Sequence, residues 1–340
     1  MIAMNLTFLR PLYRHPGPCV SAYLDTSTDT EDARDRMALT MRAVTDQLTG
    51  AGADQAIVAA VDRAVQEHAG TGRHGLALFA RTADLVVTHP LPEPPAQPIA
   101  RLGERPAVLP LLTGLGEQVS WLRVLVDRTG ADLELDAGRM HRTVAGTGRY
   151  PVHKAAPGGW SQPRYQRSAE TTWLQNAKEV VEELARTVDE TGPDVVILAG
   201  DVRARQLLAE HLPPAVAARV VQTDAGSRAP GADPQPLDEA TEQAVRELVE
   251  RRYAEVLDAY RAGLAHGLAV AGVAAVRTPL AWAQVQTLLI SPDVPEEVAD
   301  DLIQAAVSGD AEVLLVTPGQ QELPDGVGAV LRYHLVEGET

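Results

Sequence analysis

At 340 residues, with 45% hydrophobic and 22% charged side chains, the chain is long enough for two or three globular domains of ordinary composition. One cysteine, Cys19, excludes an internal disulfide framework and a cysteine-built zinc site, and no apolar run approaches the roughly 18 residues of a membrane span. The formal net charge of −16 argues against a general nucleic-acid coat protein, because phosphate attraction dominates such binding.

The start, Met1-Ile2-Ala3-Met4-Asn5, lacks the basic and apolar regions of a signal peptide, so a cytoplasmic location is expected. Val20 to Leu24 reads as a strand entering the polar loop Asp25 to Thr30. Met37, Met41, Val44 and Leu48 then recur at helical spacing, and a second helix is expected from about Asp54 to Glu67. Gly75 to Ala80 and Asp84 to Thr88 form a strand pair. Pro90 to Pro98 holds five prolines and reads as irregular chain. This order predicts an N-terminal α/β domain over 1–117.

A second domain, 118–224, opens with a hairpin of Val119 to Asp127 and Ala131 to Asp136 through Thr129-Gly130, with a third strand at Gly138 to Val144. A Gly-rich basic loop follows, and Pro163 is tolerated in the first turn of a long helix reaching about Glu190. Trp173, Ala177, Val180, Val181, Leu184 and Val188 make its apolar face. Asp194 to Ala199 reads as a buried strand ending at Gly200-Asp201, before a helix from Val202 to His211. Ala225 to Pro236 has the composition of an interdomain linker. The third domain, 237–340, opens with a long helix to about Leu264. It continues with strands at Gln286 to Ile290 and Glu312 to Thr317, flanking a helix at Glu296 to Ser308. That βαβ unit predicts a small α/β/α sandwich, and the whole chain reads as α/β, its middle domain built on a mixed sheet.

Charge is unevenly spread. Ala137 to Ala169 contains no Asp or Glu but carries Arg139, Arg142, Arg149, Lys154, Arg164 and Arg167. An acidic body with one basic segment suits local contact with an anionic partner. Within this segment Gly158-Gly159 lets the backbone approach another surface closely. Arg164 and Arg167 in the first helical turns oppose the helix dipole unless an external anion compensates. Trp160 and Tyr165 beside these arginines read either as a stacking-and-phosphate surface for RNA or as ordinary packing with solvated charges. Elsewhere, Asp25, Asp29 and Asp32 suit helix capping or a cation, and Gly200-Asp201 suits a strand-ending turn or a ligand. The nine histidines are scattered and no phosphate-binding loop is present, so neither metal nor cofactor is expected.

The order strand, strand, Gly-rich loop, long helix and buried strand, with His153 to Ser168 at its centre, resembles the middle domain of archaeo-eukaryotic release factors and Pelota. Gly263 to Gly272, Leu280 to Val285 and Gln286 to Ser291 are similar to the family's C-terminal domain. The N-terminal third resembles the hibernation-related bacterial branch that includes Balon. In release factors a glutamine directly follows the glycines and helps position water at the peptidyl-tRNA ester. Here Trp160 and Ser161 separate Gly159 from Gln162, which alters reach where catalytic geometry must hold to about an ångström. Neither Lys154 nor Lys178 lies in the stop-codon motif Asn-Ile-Lys-Ser.

The resemblance therefore implies a ribosome-associated factor that enters the tRNA-binding A-site region without efficient peptide release, in stress, hibernation or rescue. Lys154, Gly158, Gly159, Trp160, Gln162, Arg164 and Arg167 would contact RNA. It also implies a translational GTPase partner and no membrane. The alternative is a peptidyl-tRNA or tRNA hydrolase using Gln162.

Overall fold

The computed structural model describes residues 2–68, 73–115, 119–136, 140–145 and 162–334, with side chains described outside 162–173. Two compact units emerge, one formed by 1–118 with 252–340 and the other by 119–251.

The first unit begins with a short helix α1 (Arg10–Tyr13) and strand β1 (Cys19–Asp25), followed by helices α2 (Ala33–Gly50) and α3 (Gln55–Glu67). Strands β2 (Gly75–Thr82), β3 (Leu85–Leu91) and β4 (Ile99–Gly103) and helix α4 (Leu109–Leu115) complete its first part. The sheet runs β3-β2-β1-β4 and is antiparallel throughout. Pro90 therefore lies in a strand, not in irregular chain. Its position on the edge strand β3 removes no ladder donor the sheet needs.

Both faces of this sheet are apolar, so both must be covered. Val20, Ala22 and Leu24 of β1 with Leu76, Leu78 and Ala80 of β2 pack on α2 and α3 through Met41, Val44, Leu48, Val58 and Val61. The alternate residues Cys19, Tyr23, Ala77 and Phe79 belong to a second core shared with the C-terminal part of the chain. Each large side chain buried there contributes about 1.5–3 kcal/mol.

The second unit contains strands β5 (Trp121–Asp127), β6 (Gly130–Leu135) and β7 (Met140–Ala145) and the 30-residue helix α5 (Gln162–Thr191). Strand β8 (Val195–Gly200), helices α6 (Val202–His211) and α7 (Pro214–Ala217), strand β9 (Val220–Gln222) and the first part of helix α8 (Gln235–His266) follow. The strand order is β7-β6-β5-β8-β9, antiparallel on the hairpin side and parallel from β5 through β8 to β9. This is the mixed sheet the sequence predicts. One face packs on α5 and α6 through Val180, Leu184, Val188, Ala204 and Leu208, and the other on α8 through Leu237, Ala244 and Leu248.

The linker expectation for Ala225 to Pro236 is overturned. Arg228 in this segment pairs with Asp127 at 2.7 Å and Asp132 at 2.9 Å. A side chain at Gly226 would press on Leu125 and Leu237. The segment is thus tied to the middle sheet. The boundary between units falls inside α8, between Arg251 and Arg252, so 237–251 belongs with the middle strands.

The rest of the first unit consists of the end of α8, strand β10 (Ala269–Ala271), helix α9 (Val273–Ala281) and strand β11 (Val285–Ile290), then helix α10 (Glu296–Ser308) and strands β12 (Glu312–Leu315) and β13 (Val327–Leu331). Strands β11 and β12 are parallel, as a βαβ unit requires, within the order β10-β13-β11-β12. Tyr253, Leu257 and Tyr260 of α8 cover one face. Residues of α9 and α10 cover the other, giving the α/β/α layering.

The outer side of α10 meets the N-terminal part. Arg101 reaches Asp300 at 2.9 Å and also pairs with Glu296. Arg105 meets Gln304 at 2.7 Å and Asp301 at 3.1 Å, while Arg10 donates to the Val307 carbonyl at 3.0 Å. Asp300 also accepts from the Val108 amide, and burial pushes its pKa up to about 6 against the pull of that amide and of Arg101. The first and third domains expected from the sequence therefore form one unit around a shared core.

Candidate RNA-contacting site

Residues 146–161 connect β7 to α5. Lys154, Gly158, Gly159 and Trp160 lie outside the described residues. Gln162, Arg164 and Arg167 fall on the first two turns of α5, with side chains outside the description. What the structure gives is the mounting of the segment at both of its ends.

Helix α5 spans about 45 Å at 1.5 Å per residue. Its first described buried residues are Asn176 and Ala177, and Asn176 donates to the Arg128 carbonyl in the β5–β6 turn. Beyond them Val180, Leu184 and Val188 recur at helical spacing and hold the helix to the sheet. Strand β7 pairs with β6 from Met140↔Leu135 to Ala145↔Gly130. Gly130 has no room for a side chain, because a Cβ there would overlap the Val144 carbonyl oxygen. The hairpin thereby delivers Ala145 at a fixed register.

Arg142 fastens β7 to α5. Its guanidinium pairs with Glu183, donates to Thr187 Oγ1 at 3.2 Å, and lies 3.9 Å from Glu190. Arg186 also grips Glu183, and these contacts hold the Glu183 carboxyl below the usual carboxylate range, the Arg186 hydrogen bond first among them. One of the six cations in the acid-free segment is thus engaged within the fold. The sequence hid this role, since Arg142 and Glu183 stand 41 positions apart.

The other candidates resolve locally. Gly200 has φ +106°, and a Cβ would overlap the Val126 carbonyl oxygen. Asp201 caps α6, accepting from the Arg203 and Ala204 amides at 3.0 Å each. Arg205 donates to the Gly200 carbonyl at 3.2 Å and pairs with Asp224. The nearby void, lined by Val126, Asp127, Asn176 and Ala204, measures about 10 Å³, room for at most one water. Gly200-Asp201 is a strand-ending turn.

Around β1, Asp25 accepts from the Ser27 amide at 3.0 Å. Asp32 occupies the N-cap position of α2 without a capping hydrogen bond from its side chain, whereas Asp54 caps α3 through the Ala56 amide at 2.7 Å. Among the described residues no group of three or more His, Cys, Asp or Glu is placed to hold a metal ion. No described helix is long and apolar enough to cross a membrane.

In the sequence, the basic, Gly-rich stretch lies between strand β7 and the long helix α5 of this mixed-sheet unit. Residues 120–266 match the profile of bacterial archaeo-eukaryotic release factor family 2, and the chain belongs to that family. Over 362 aligned residues it is 32% identical to the uncharacterised Mycobacterium tuberculosis protein Rv2629, covering 96% of each.

Among solved structures, it is similar to Saccharomyces cerevisiae Dom34, described as a translation termination-like factor in RNA quality control that interacts with Hbs1. Identity is 10%, coverage 78% of this chain and 81% of that one, and the TM-score 0.46. It is also similar to a chain in a model of ribosome-bound archaeal Pelota and ABCE1. There identity is 14%, coverage 98% and 96%, and the TM-score 0.43.

Proposed function

We propose that this protein is a ribosome-associated translation factor that inserts the segment between β7 and α5 into the tRNA-binding A-site region and does not release peptide efficiently. Family membership supports the general role. The observation that carries the finer reading is the altered loop, Gly158-Gly159-Trp160-Ser161-Gln162, within a stretch free of acidic residues. In this reading Lys154, Arg164 and Arg167 meet phosphates, Gly158 and Gly159 permit close approach, and Trp160 and Gln162 contact bases or sugar. The setting is the cytoplasm under stress, hibernation or rescue, with a translational GTPase as the partner that the family resemblance implies.

Co-sedimentation with intact ribosomes at near-physiological salt tests the reading. Arg164→Glu/Arg167→Glu is expected to abolish co-migration while the protein stays folded. Co-migration unaffected by the double substitution removes the loop from the interface, and no co-migration of the wild type with GTPase present refutes the proposal. Turnover of purified peptidyl-tRNA that disappears in Gln162→Ala would instead establish the hydrolase reading.

A further inference from the structure

Apart from the loop, the first unit carries a groove of about 1290 Å³ between α2 and α3. Its floor is apolar, formed by Met37, Met41, Val58 and Val65, with Ala38 and Ala59 on its slopes. Arg34 and Arg42 stand on the α2 rim. They make no ion pair among the described residues, whereas Arg36 on the same helix lies 3.8 Å from Asp25 and 3.7 Å from Asp32. The two rim cations stand eight positions apart in the sequence, about 12 Å along the helix.

The dimensions select an occupant. Ala33 to Thr49, the stretch of α2 that lines the groove, spans about 24 Å, the length of a helix of about 16 residues. The volume of about 1290 Å³ is larger than the roughly 300–1,000 Å³ of common small-molecule pockets. Along α2 and α3 an extended peptide would find no sheet edge to extend, because amides within these helices are bonded internally. RNA would find no stacking platform, since no aromatic side chain lines the groove. A helix satisfies its own backbone and needs only an apolar floor, and methionine side chains adapt to such a guest.

The geometry points to a docking site for an amphipathic α-helix of a partner protein, its apolar stripe on Met37, Met41 and Val58 and two acidic residues, two turns apart, facing Arg34 and Arg42. This site does not depend on the loop reading. Asp46 and Asp62 on the rim disfavour a guest that is acidic all round, so recognition follows a stripe of charge.

The test uses a fluorescein-labelled 16-residue helical peptide with Leu at i, i+3, i+4, i+7 and i+11 and Glu at two flanking positions seven or eight apart. A matched peptide carries Lys at those two positions. Fluorescence anisotropy with the full chain is expected to show saturable binding of the Glu peptide and binding of the Lys peptide weaker by roughly tenfold. Arg34→Glu/Arg42→Glu should abolish or reverse that preference. Ala59→Trp, which fills the groove and leaves the charges, should weaken both peptides. Protection of Cys19 from thiol reagents verifies that each variant is folded. Failure of the Glu peptide to bind, equal binding of both peptides, or indifference to Ala59→Trp overturns the inference. Displacement of the Glu peptide by a 12-residue uridine oligonucleotide would reassign the groove to RNA.

Discussion

Replacing Asp300 with Asn isolates the energetics of the seam between the two parts of the first unit. The Asp300 carboxyl is 7% exposed, shares Arg101 with Glu296 and accepts from the Val108 amide. Because its folded pKa is raised from 3.8 to about 6, folding favours the protonated form. Its contribution to stability is fully present below about pH 4 and is lost as pH rises through about 6. The gap corresponds to about 3 kcal/mol at 1.36 kcal/mol per unit, reduced to about 2 kcal/mol by screening through the partly exposed Arg101.

Asparagine keeps an acceptor for Val108 and cannot titrate. The stability of wild type minus Asp300→Asn should therefore fall by about 2 kcal/mol between pH 4 and pH 7.5. Cys19 supplies the assay. It is the only cysteine, fully buried in the shared core, with burial pushing its thiol up to about 12. Labelling by an activated pyridyl disulfide across a urea series therefore reports opening of this unit alone. A difference that stays constant over that pH range would refute the raised pKa. One that rises with pH would show that pairing with Arg101 outweighs burial.

Further outcomes follow from the packing. Gly200→Ala places a methyl against the Val126 carbonyl at a backbone angle of +106°, and should cost the second unit about 3 kcal/mol or more in urea unfolding. Tyr260→Phe removes a buried hydroxyl that has no hydrogen-bond partner among the described residues and should leave stability unchanged or raise it by about 1 kcal/mol by the same measure. Arg142→Ala should cost about 1 kcal/mol and increase hydrogen exchange in β7, since its partners are part-exposed. If Lys154, Arg164 and Arg167 each neutralise one phosphate, ribosome affinity should fall with salt at a log–log slope of about −2.

Much of the fold was legible where periodicity and punctuation agree. Strand β1, helices α2, α3, α6 and α10, and the parallel pair β11 and β12 all lie close to their expected bounds. What escaped depends on partners far along the chain. Ile99–Gly103 is an edge strand whose identity comes from pairing with β1, and the preceding prolines masked it. Val327–Leu331 is buried on both sides by elements that no local pattern reveals. The division within α8 was invisible because the helical period continues through Arg251-Arg252 while the sheet it covers changes. Of the site, the composition of the basic segment was legible, whereas the Arg142 fastening was not.

The insertion of one unit within the other has a consequence for synthesis on the ribosome. Cys19, Tyr23, Ala77 and Phe79 belong to a core completed by Leu302, Ile303 and Val313, which emerge more than two hundred residues later. At about 5–20 residues per second, that apolar sheet face waits on the order of ten seconds or more for its cover. The whole of 119–251 is made in the interval and holds its own core. A nascent chain arrested before α10 would thus pair a finished middle unit with a half-built neighbour, the form most exposed to chaperones and proteases.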